Sequence, residues 1–205
     1  MYGSDSLFED GIVVRTTLEP RLQKIAAYSI ARGFEEYDKR HGYRGALGNI
    51  KITDDWKDNL IKFEIIKYDN EKNKIAKLYP NNWRKAIILD IKKNEIEIGF
   101  EEEEIENGKI FLEDIMWAKK FITVDEVGPI LNKMSDIFKK GDVILVENRK
   151  KDGRYILQQI PKINGGLIAM NPHNGNVLAM MGGYIDALNQ FNRVFQAKRQ
   201  PGSIL

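Results

Sequence analysis

GLIAMNPHNGNVLAMMGGYIDALNQFNRVFQAKRQPGSIL, residues 166–205, carries the clearest structural signal in the chain. Two apolar runs, 166–170 and 177–181, flank Asn171-Pro-His-Asn-Gly-Asn176, and Asn174-Gly175 is the strongest short-range hairpin signal in the chain. The spacing predicts a β-hairpin. Its runs are nearly continuous rather than alternating, so both faces are expected to be covered, as in central strands with helices packed on them. Gly182-Gly183 ends the second strand. A polar connection follows, and Arg199-Gln-Pro-Gly-Ser203 makes a Pro-Gly turn that places a serine where a helix can begin. On the residues alone, Ser203 is simply the N-cap of that helix.

Outward from the hairpin, the other end of the chain offers it a cover. Residues 11–17 read as a short strand, and Thr17-Leu-Glu-Pro20 as a helix start, with a hydroxyl cap and an acid and a proline in the first turn. Leu22, Ile25, Ala26, Ile30, Phe34 and Tyr37 recur at three- and four-residue steps, giving one stripe that is expected to be buried before Gly42 stops the helix. Burial of one such side chain is worth about 1.5–3 kcal/mol. The stripe and the hairpin are therefore expected to pack together, through Leu22, Ile25, Ala26 or Ile30 against Leu167, Ile168, Leu178 or Met180.

Between them, residues 49–160 turn to Lys, Glu, Asn and Ile with short β-like runs: 61–66 and 74–79, 85–91 and 95–100, 141–146 and 155–160, each pair separated by a polar turn. Such spacing argues a small antiparallel barrel or sandwich. Trp56, Trp83, Phe100, Phe111 and Trp117 are either its core or a stacking platform, and small barrels fill their interiors with such side chains. Glu101–Glu104 reads as a solvated loop or strand end, because neighbouring carboxylates on a strand point to opposite faces.

The chain of 205 residues, 42% hydrophobic, is long enough for one good core or two small ones. No run approaches the roughly 18 apolar residues of a membrane span. Met1-Tyr-Gly-Ser-Asp-Ser also lacks the charged start and apolar middle of a signal peptide, so the chain by itself reads as soluble. A net charge of +2 gives no electrostatic case for nucleic acid. Without cysteine, disulfides and thiolate catalysis are excluded. His41 and His173, both in apparent turns, cannot by themselves build a zinc site, and neither metal nor cofactor is expected.

Ala169-Met-Asn-Pro-x-x-Gly-x-Val-Leu-Ala-Met-x-Gly-Gly183, then Phe191-Asn192-Arg193 and Ala197-Lys-Arg-Gln-Pro-Gly-Ser203, resemble the beginning of the transpeptidase domain of class A, bifunctional penicillin-binding proteins. Thr16-Thr-Leu-x-Pro-x-Leu-Gln23 and Tyr43-Arg44-Gly45 are similar to the segment whose helix packs on that domain's sheet. Trp117-Ala118, Ser135-Asp136 and Lys140-Gly-Asp-Val143 resemble the oligonucleotide/oligosaccharide-binding-like (OB-like) domain carried by the same family. The resemblance implies an α+β fold in which a small antiparallel OB-like barrel is inserted into the N-terminal helix-plus-sheet part of a penicillin-binding transpeptidase domain. The implied division is a linker strand and first helix over 1–48, the barrel over 49–160, and the hairpin with the nucleophile segment over 161–205.

The resemblance also makes Ser203 the acyl-enzyme nucleophile that opens a Ser-x-x-Lys motif, with the lysine directly after Leu205. A serine hydroxyl is a weak nucleophile and needs a neighbouring base; a lysine three residues on lies one turn along the same helix face, and the helix N-terminus favours developing negative charge. Since the Ser-x-Asn and Lys-Thr/Ser-Gly motifs would also lie beyond, the 205-residue fragment is expected to be inactive. Asn192, Arg193 and Arg199 are expected to hold the connection between hairpin and serine by hydrogen bonds rather than to touch substrate. The implied parent is a peptidoglycan synthase, a glycosyltransferase and D,D-transpeptidase that binds β-lactams. It would sit at the periplasmic face of the bacterial inner membrane, held by an anchor outside this chain. Its partners would be stem peptides and glycan strands, with a cell-wall regulatory protein as a candidate at the OB-like domain. The alternative from a different class is a non-catalytic OB-like module that binds a partner protein or a glycan strand.

Overall fold

In the computed structural model, which describes residues 15–69, 74–77, 79–148, 153–184 and 192–198, the first helix, α1, is Pro20–Arg40 and does not start at Thr17. Proline suits the first helical position because its φ is preset and its missing N–H would have had no partner there. Glu19 caps the helix: its carbonyl accepts the Gln23 N–H at 2.9 Å. Thr17, the expected cap, donates its hydroxyl to Val177 O at 2.7 Å instead. The first turn carries no acid, while Lys39 and Arg40 suit the negative end of the helix dipole. Gly42, at φ +87°, follows the end of the helix, and a Cβ there would lie 2.6 Å from Lys119 O.

The buried face of α1 is narrower than the sequence stripe. Ala26, Ile30 and Asp38 are buried and Phe34 is half-buried, whereas Ile25 is 50% exposed and Tyr37 39% exposed. Consecutive helical residues point about 100° apart, so Ile25 and Ala26 cannot share one narrow contact.

The described residues of Ala31–Asn164 and Tyr184–Gln190 form one unit, and those of Met1–Ile30, Gly165–Gly183 and Phe191–Leu205 another. The larger unit holds an antiparallel sheet of β1 (Gly48–Asn49), β4 (Trp83–Ile91), β5 (Glu95–Gly99), β6 (Gly108–Phe111), β7 (Asp142–Asn148) and β8 (Tyr155–Gln158). Its order is β1-β7-β4-β5-β6, with β8 also paired to β7. Strand β1 takes Asp142 and Val143, β8 takes Leu145 to Asn148, and β4 pairs along the other edge of β7. The sheet curls until Lys109 N, on β6, donates to Gly153 O at 2.8 Å just before β8. Among the described residues this meeting, with the bridge between Lys109 and Arg154, is how the two ends join. Arg154 reinforces it, reaching Asp114 at 2.6 Å and lying 4.8 Å over the Phe111 ring.

Both faces of the central strands are covered. Ala86 and Ile88 of β4 enter the main core with Ile96, Ile98, Phe100, Phe138, Ile144 and Val146. Ile87 and Val143 point the other way, against Leu60. That second face is covered by α2 (Trp56–Lys62), on which Trp56 and Leu60, with Phe63 just after the helix, follow a helical period. The strand expected over 61–66 is therefore wrong: Ile61 and Lys62 end the helix, and β2 (Ile66–Asp69) begins later, paired with β3 (Lys74–Lys77). Two further differences concern short elements. Strand β6 and the 3-10 turns at Leu112–Ile115 and Met134–Asp136 carry too few residues to show a period, and β8 stops at Gln158 because Gln159 turns into a buried polar cluster. There Asp38 accepts from Arg44 Nη1 at 2.8 Å, from Gln159 Nε2 at 2.7 Å and from Lys162 N at 3.1 Å. Arg44 also donates to Ile160 O at 2.6 Å. The buried carboxylate is thus both ion-paired and hydrogen-bonded, as burial requires.

The smaller unit holds the hairpin, β9 (Leu167–Met170) and β10 (Val177–Met181), antiparallel with Val177 opposite Met170 and Met181 opposite Leu167. Its loop is wider than a two-residue Asn-Gly turn. Asn171 N donates to Asn176 O, Gly175 N to Asn171 O, and Gly175 takes a left-handed bend, at φ +72°. Ala179 and Met181 are buried, but Ile168 and Met170 are 47% and 53% exposed. Cover on both faces, which the continuous runs imply, is thus not provided within the described residues. The strand expected over 11–17 lies mostly outside them. No helix among them is long and apolar enough to cross a membrane.

Candidate functional site

The outer edge of β10 is closed by the residues that lead into α1. Beside the Thr17 hydroxyl on Val177 O, Glu19 N donates to Leu178 O at 2.8 Å. Gln23 then grips one residue at both of its backbone groups: its Nε2 donates to Met180 O at 2.8 Å and its Oε1 accepts from Met180 N at 2.9 Å. A side-chain amide here does what a neighbouring strand would do, satisfying an edge that otherwise invites pairing. The helix and the hairpin thus meet through a polar grip, which the apolar pairing expected from the sequence did not include.

Beyond β10 the chain returns to the hairpin as a single turn over residues 192–198. Asn192 Oδ1 accepts from Val194 N at 3.0 Å, and Asn192 N donates to Gln196 Oε1 at 2.6 Å. Asn192 O accepts from Phe195 N and Gln196 N, at 3.2 and 2.8 Å. The pattern is that of a capping box, lengthened by one residue. The turn is seated on two glycines at the strand ends. A Cβ on Gly182 would lie 2.5 Å from Asn192 Oδ1, and one on Gly166 would lie 2.8 Å from Val194 Cγ2. Arg193 N donates to Gly182 O at 3.3 Å.

Arg193 thus ties the connection to the hairpin through its backbone N–H, whereas the hydrogen bonds of Asn192 lie within the turn itself. Gln23, Gln196 and the paired glycines were missed. The Asn-x-x-x-Gln spacing and glycines where apolar runs end were the available signals. Ser203 and Arg199 lie outside the described residues, and His173 sits exposed in the hairpin loop.

Of the five aromatic residues weighed as core or stacking platform, two are buried and Trp56, Phe111 and Trp117 are half-buried. Trp83 and Phe100 are buried. Trp56 lies against the Leu60 cluster, Trp117 meets Tyr43 edge-on at 6.2 Å between centroids, and Phe111 lies under Arg154. In the acidic run, Glu101 pairs with Lys85 and Glu102 with Arg84, both at 2.8 Å.

Comparison with known proteins follows this geometry. The family model described as penicillin-binding protein OB-like domain matches residues 43–163. The chain is 34% identical over 200 residues to penicillin-binding protein 1A of Rickettsia felis, which covers 98% of this chain and 22% of that protein. It is 31% identical over 204 residues to penicillin-binding protein 1A of Pseudomonas aeruginosa, covering 98% of this chain and 23% of that one. A crystal structure of penicillin-binding protein 1A from Haemophilus influenzae superposes with a TM-score of 0.53 at 23% identity, over 87% of this chain and 23% of the other, and so shares the fold. The chain spans less than a quarter of the length of the relatives it matches.

Proposed function

Because this chain belongs to the penicillin-binding protein OB-like domain family, we propose that it is one part of a peptidoglycan synthase of the penicillin-binding protein 1A type. The observation that carries the reading is the extent of the likeness, which runs over 98% of the chain and so well past the OB-like match on both sides. On this reading residues 1–48 hold the linker strand and first helix, 49–160 the OB-like insert, and 161–205 the hairpin and nucleophile segment. The rest of the transpeptidase domain would supply the cover that Ile168 and Met170 lack here.

Ser203 is the nucleophile in this proposal. Its oxygen attacks the carbonyl between the two D-alanines of a stem peptide, a C–O bond forms, and the C–N bond breaks. The lysine of the Ser-x-x-Lys motif takes the serine proton and passes it to the departing D-alanine amine. An amine of a second stem then displaces the serine, completing the cross-link, whereas a β-lactam stops the cycle at the acyl-serine. Stem peptides and glycan strands are the substrates, the periplasmic face of the inner membrane is the location, and a cell-wall regulatory protein would dock on the OB-like unit. The reading of this unit as a free-standing binding module gains no support from its aromatics, which are packed.

Intact-mass spectrometry after incubation with a labelled penicillin tests the proposal. One adduct, mapped to Ser203, is expected on the complete polypeptide, and none on a variant in which the lysine of the Ser-x-x-Lys motif is replaced. No adduct on the complete polypeptide, or an adduct elsewhere, would refute it.

A further inference from the structure

Three Asn-Gly steps occur in the chain: Asn107-Gly108, Asn164-Gly165 and Asn174-Gly175. An asparagine before glycine carries a latent reaction, attack of the glycine nitrogen on the side-chain Cγ, because glycine has no Cβ to block the approach. The fold treats the three steps differently. Asn107 donates its Nδ2 to Glu97 Oε1 at 2.8 Å. Gly108 is buried in β6 opposite Ile98, where a Cβ would collide with the Tyr155 ring. Asn164 is held by its Oδ1, which accepts from Tyr184 N at 3.2 Å. Asn174 stands in the hairpin loop, where residues 172–176 are all exposed.

The Asn174 side chain is arranged for the reaction. Its Oδ1 accepts from Asn176 N at 3.0 Å, which folds the side chain back along the peptide that follows it and draws electron density from Cγ. Its Nδ2, the group that must leave, has no hydrogen-bond partner among the described residues. Gly175 N is the guarded atom. It donates to Asn171 O at 2.9 Å, and Asn171 Oδ1 steadies the same loop by accepting from His173 N at 2.9 Å. One such bond in an exposed loop slows the attack only about 3- to 10-fold. A step inside the ladder of the larger sheet waits for the ladder to open, which is far rarer.

We propose that Asn174 is a modification site of this protein, deamidating through a succinimide to aspartate and isoaspartate at a rate governed by the bond from Gly175 N to Asn171 O. Once that bond opens, Gly175 N gives its proton to solvent hydroxide and forms a C–N bond to Asn174 Cγ. The Cγ–Nδ2 bond then breaks and ammonia departs. Water opens the ring at either carbonyl, so that one water is consumed and one ammonia released for each carboxylate formed. The product carries a new negative charge on the loop, and the isoaspartate form has an extra backbone atom between residues 174 and 175. That atom falls within the span that the bond from Asn171 N to Asn176 O closes, at the mouth of the hairpin.

The test is incubation of the 205-residue chain at neutral pH, in buffer and in denaturing urea, followed by peptide mapping with electron-transfer fragmentation, which tells isoaspartate from aspartate. In urea the three asparagines should react at similar rates, since the dipeptide chemistry is shared. In buffer Asn174 should react about 3- to 10-fold more slowly than in urea. It should still outpace Asn164 and Asn107, with Asn107 at least about 100-fold below its own rate in urea. Asn171→Ala removes the acceptor of His173 N, and should raise the Asn174 rate about 2- to 5-fold in buffer with no change in urea. Should that variant not fold, the comparison of buffer with urea on the unsubstituted chain decides alone.

Four results overturn the proposal. They are an Asn174 rate in buffer no higher than that of Asn107 or Asn164, equal Asn174 rates in buffer and urea, a folded Asn171→Ala variant that reacts no faster, and aspartate formed without isoaspartate, which excludes the succinimide.

Discussion

Strands β7 and β9 carry the same kind of sequence, an unbroken apolar run, and meet different fates. In β7, Val143 to Val146 are all buried: Ile144 and Val146 face the barrel interior, and on the other face Val143 packs under α2 and Leu145 against Trp83 and Tyr184. In β9, Leu167 to Met170 alternate between half-buried and exposed. An unbroken run reports that a strand is suited to two covered faces; whether the covers are present is decided elsewhere in the chain. The larger unit contains its own covers, and the described part of the smaller unit contains one.

The sharpest way to break this comparison is to truncate a large side chain on each side of it. Phe138→Ala, which leaves a hole among Tyr43, Ile88 and Ile144, should destabilise the larger unit by about 3–5 kcal/mol. Ile168→Ala should cost no more than about 0.5 kcal/mol, because the side chain is already half in water. Denaturant unfolding of the two variants measures both, and equal losses would contradict the contrast. Asp38→Ala comes next, at about 3 kcal/mol in the same measurement, because it takes the carboxylate from the partly buried Arg44 guanidinium and the Gln159 amide, which keep only the carbonyls of Ile160 and Gly42. An apolar core alone does not hold the larger unit, and a loss under about 1 kcal/mol would show that this cluster is dispensable.

In the smaller unit, polar closure of the β10 edge stands in for part of the missing apolar cover. Gln23→Ala should cost about 1–2 kcal/mol and speed amide exchange at Met180 selectively, and unchanged exchange there would remove the grip from the account. The smallest effect concerns pH. Burial, with Glu35 beside it, raises the Tyr184 phenol above its usual value near 10. A raised value means that the neutral phenol is the form the folded state prefers. Its contribution is therefore complete below about pH 10 and is lost as pH rises further. Thermal unfolding of Tyr184→Phe should fall less steeply above about pH 10 than that of the unsubstituted chain; part of the slope should remain, since burial raises Tyr43 as well. Identical slopes would exclude Tyr184 as a contributor.

Much of the larger unit was legible from residue order. The pairs of runs at 85–91 with 95–100 and 141–146 with 155–160 became β4 with β5 and β7 with β8, because short β-rich runs joined by a polar turn pair readily with their neighbour in sequence, whereas the long-range pairing of β7 with β4 and β1 left no such signal. The run at 61–66 misled because isoleucines suit a short helix face as well as a strand. Only the position of Trp56 and Leu60 over Ile87 and Val143 settles which period is used.

By itself the sequence determined the hairpin, the helix before Gly42, the β-rich character of the middle and the motif that ends in Ser203. Those features depend on local periodicity, turn chemistry and the order of residue types. Tertiary structure alone decided that α1 starts at Pro20 because Thr17 serves Val177, that Gln23 grips Met180, that Asp38 gathers Arg44 and Gln159, and that Asn192 sits on Gly182. The physical reason is the same in each case: a hydrogen bond or a close approach between residues far apart in the chain leaves no period in the sequence, since its energy depends on a distance that only the folded backbone sets.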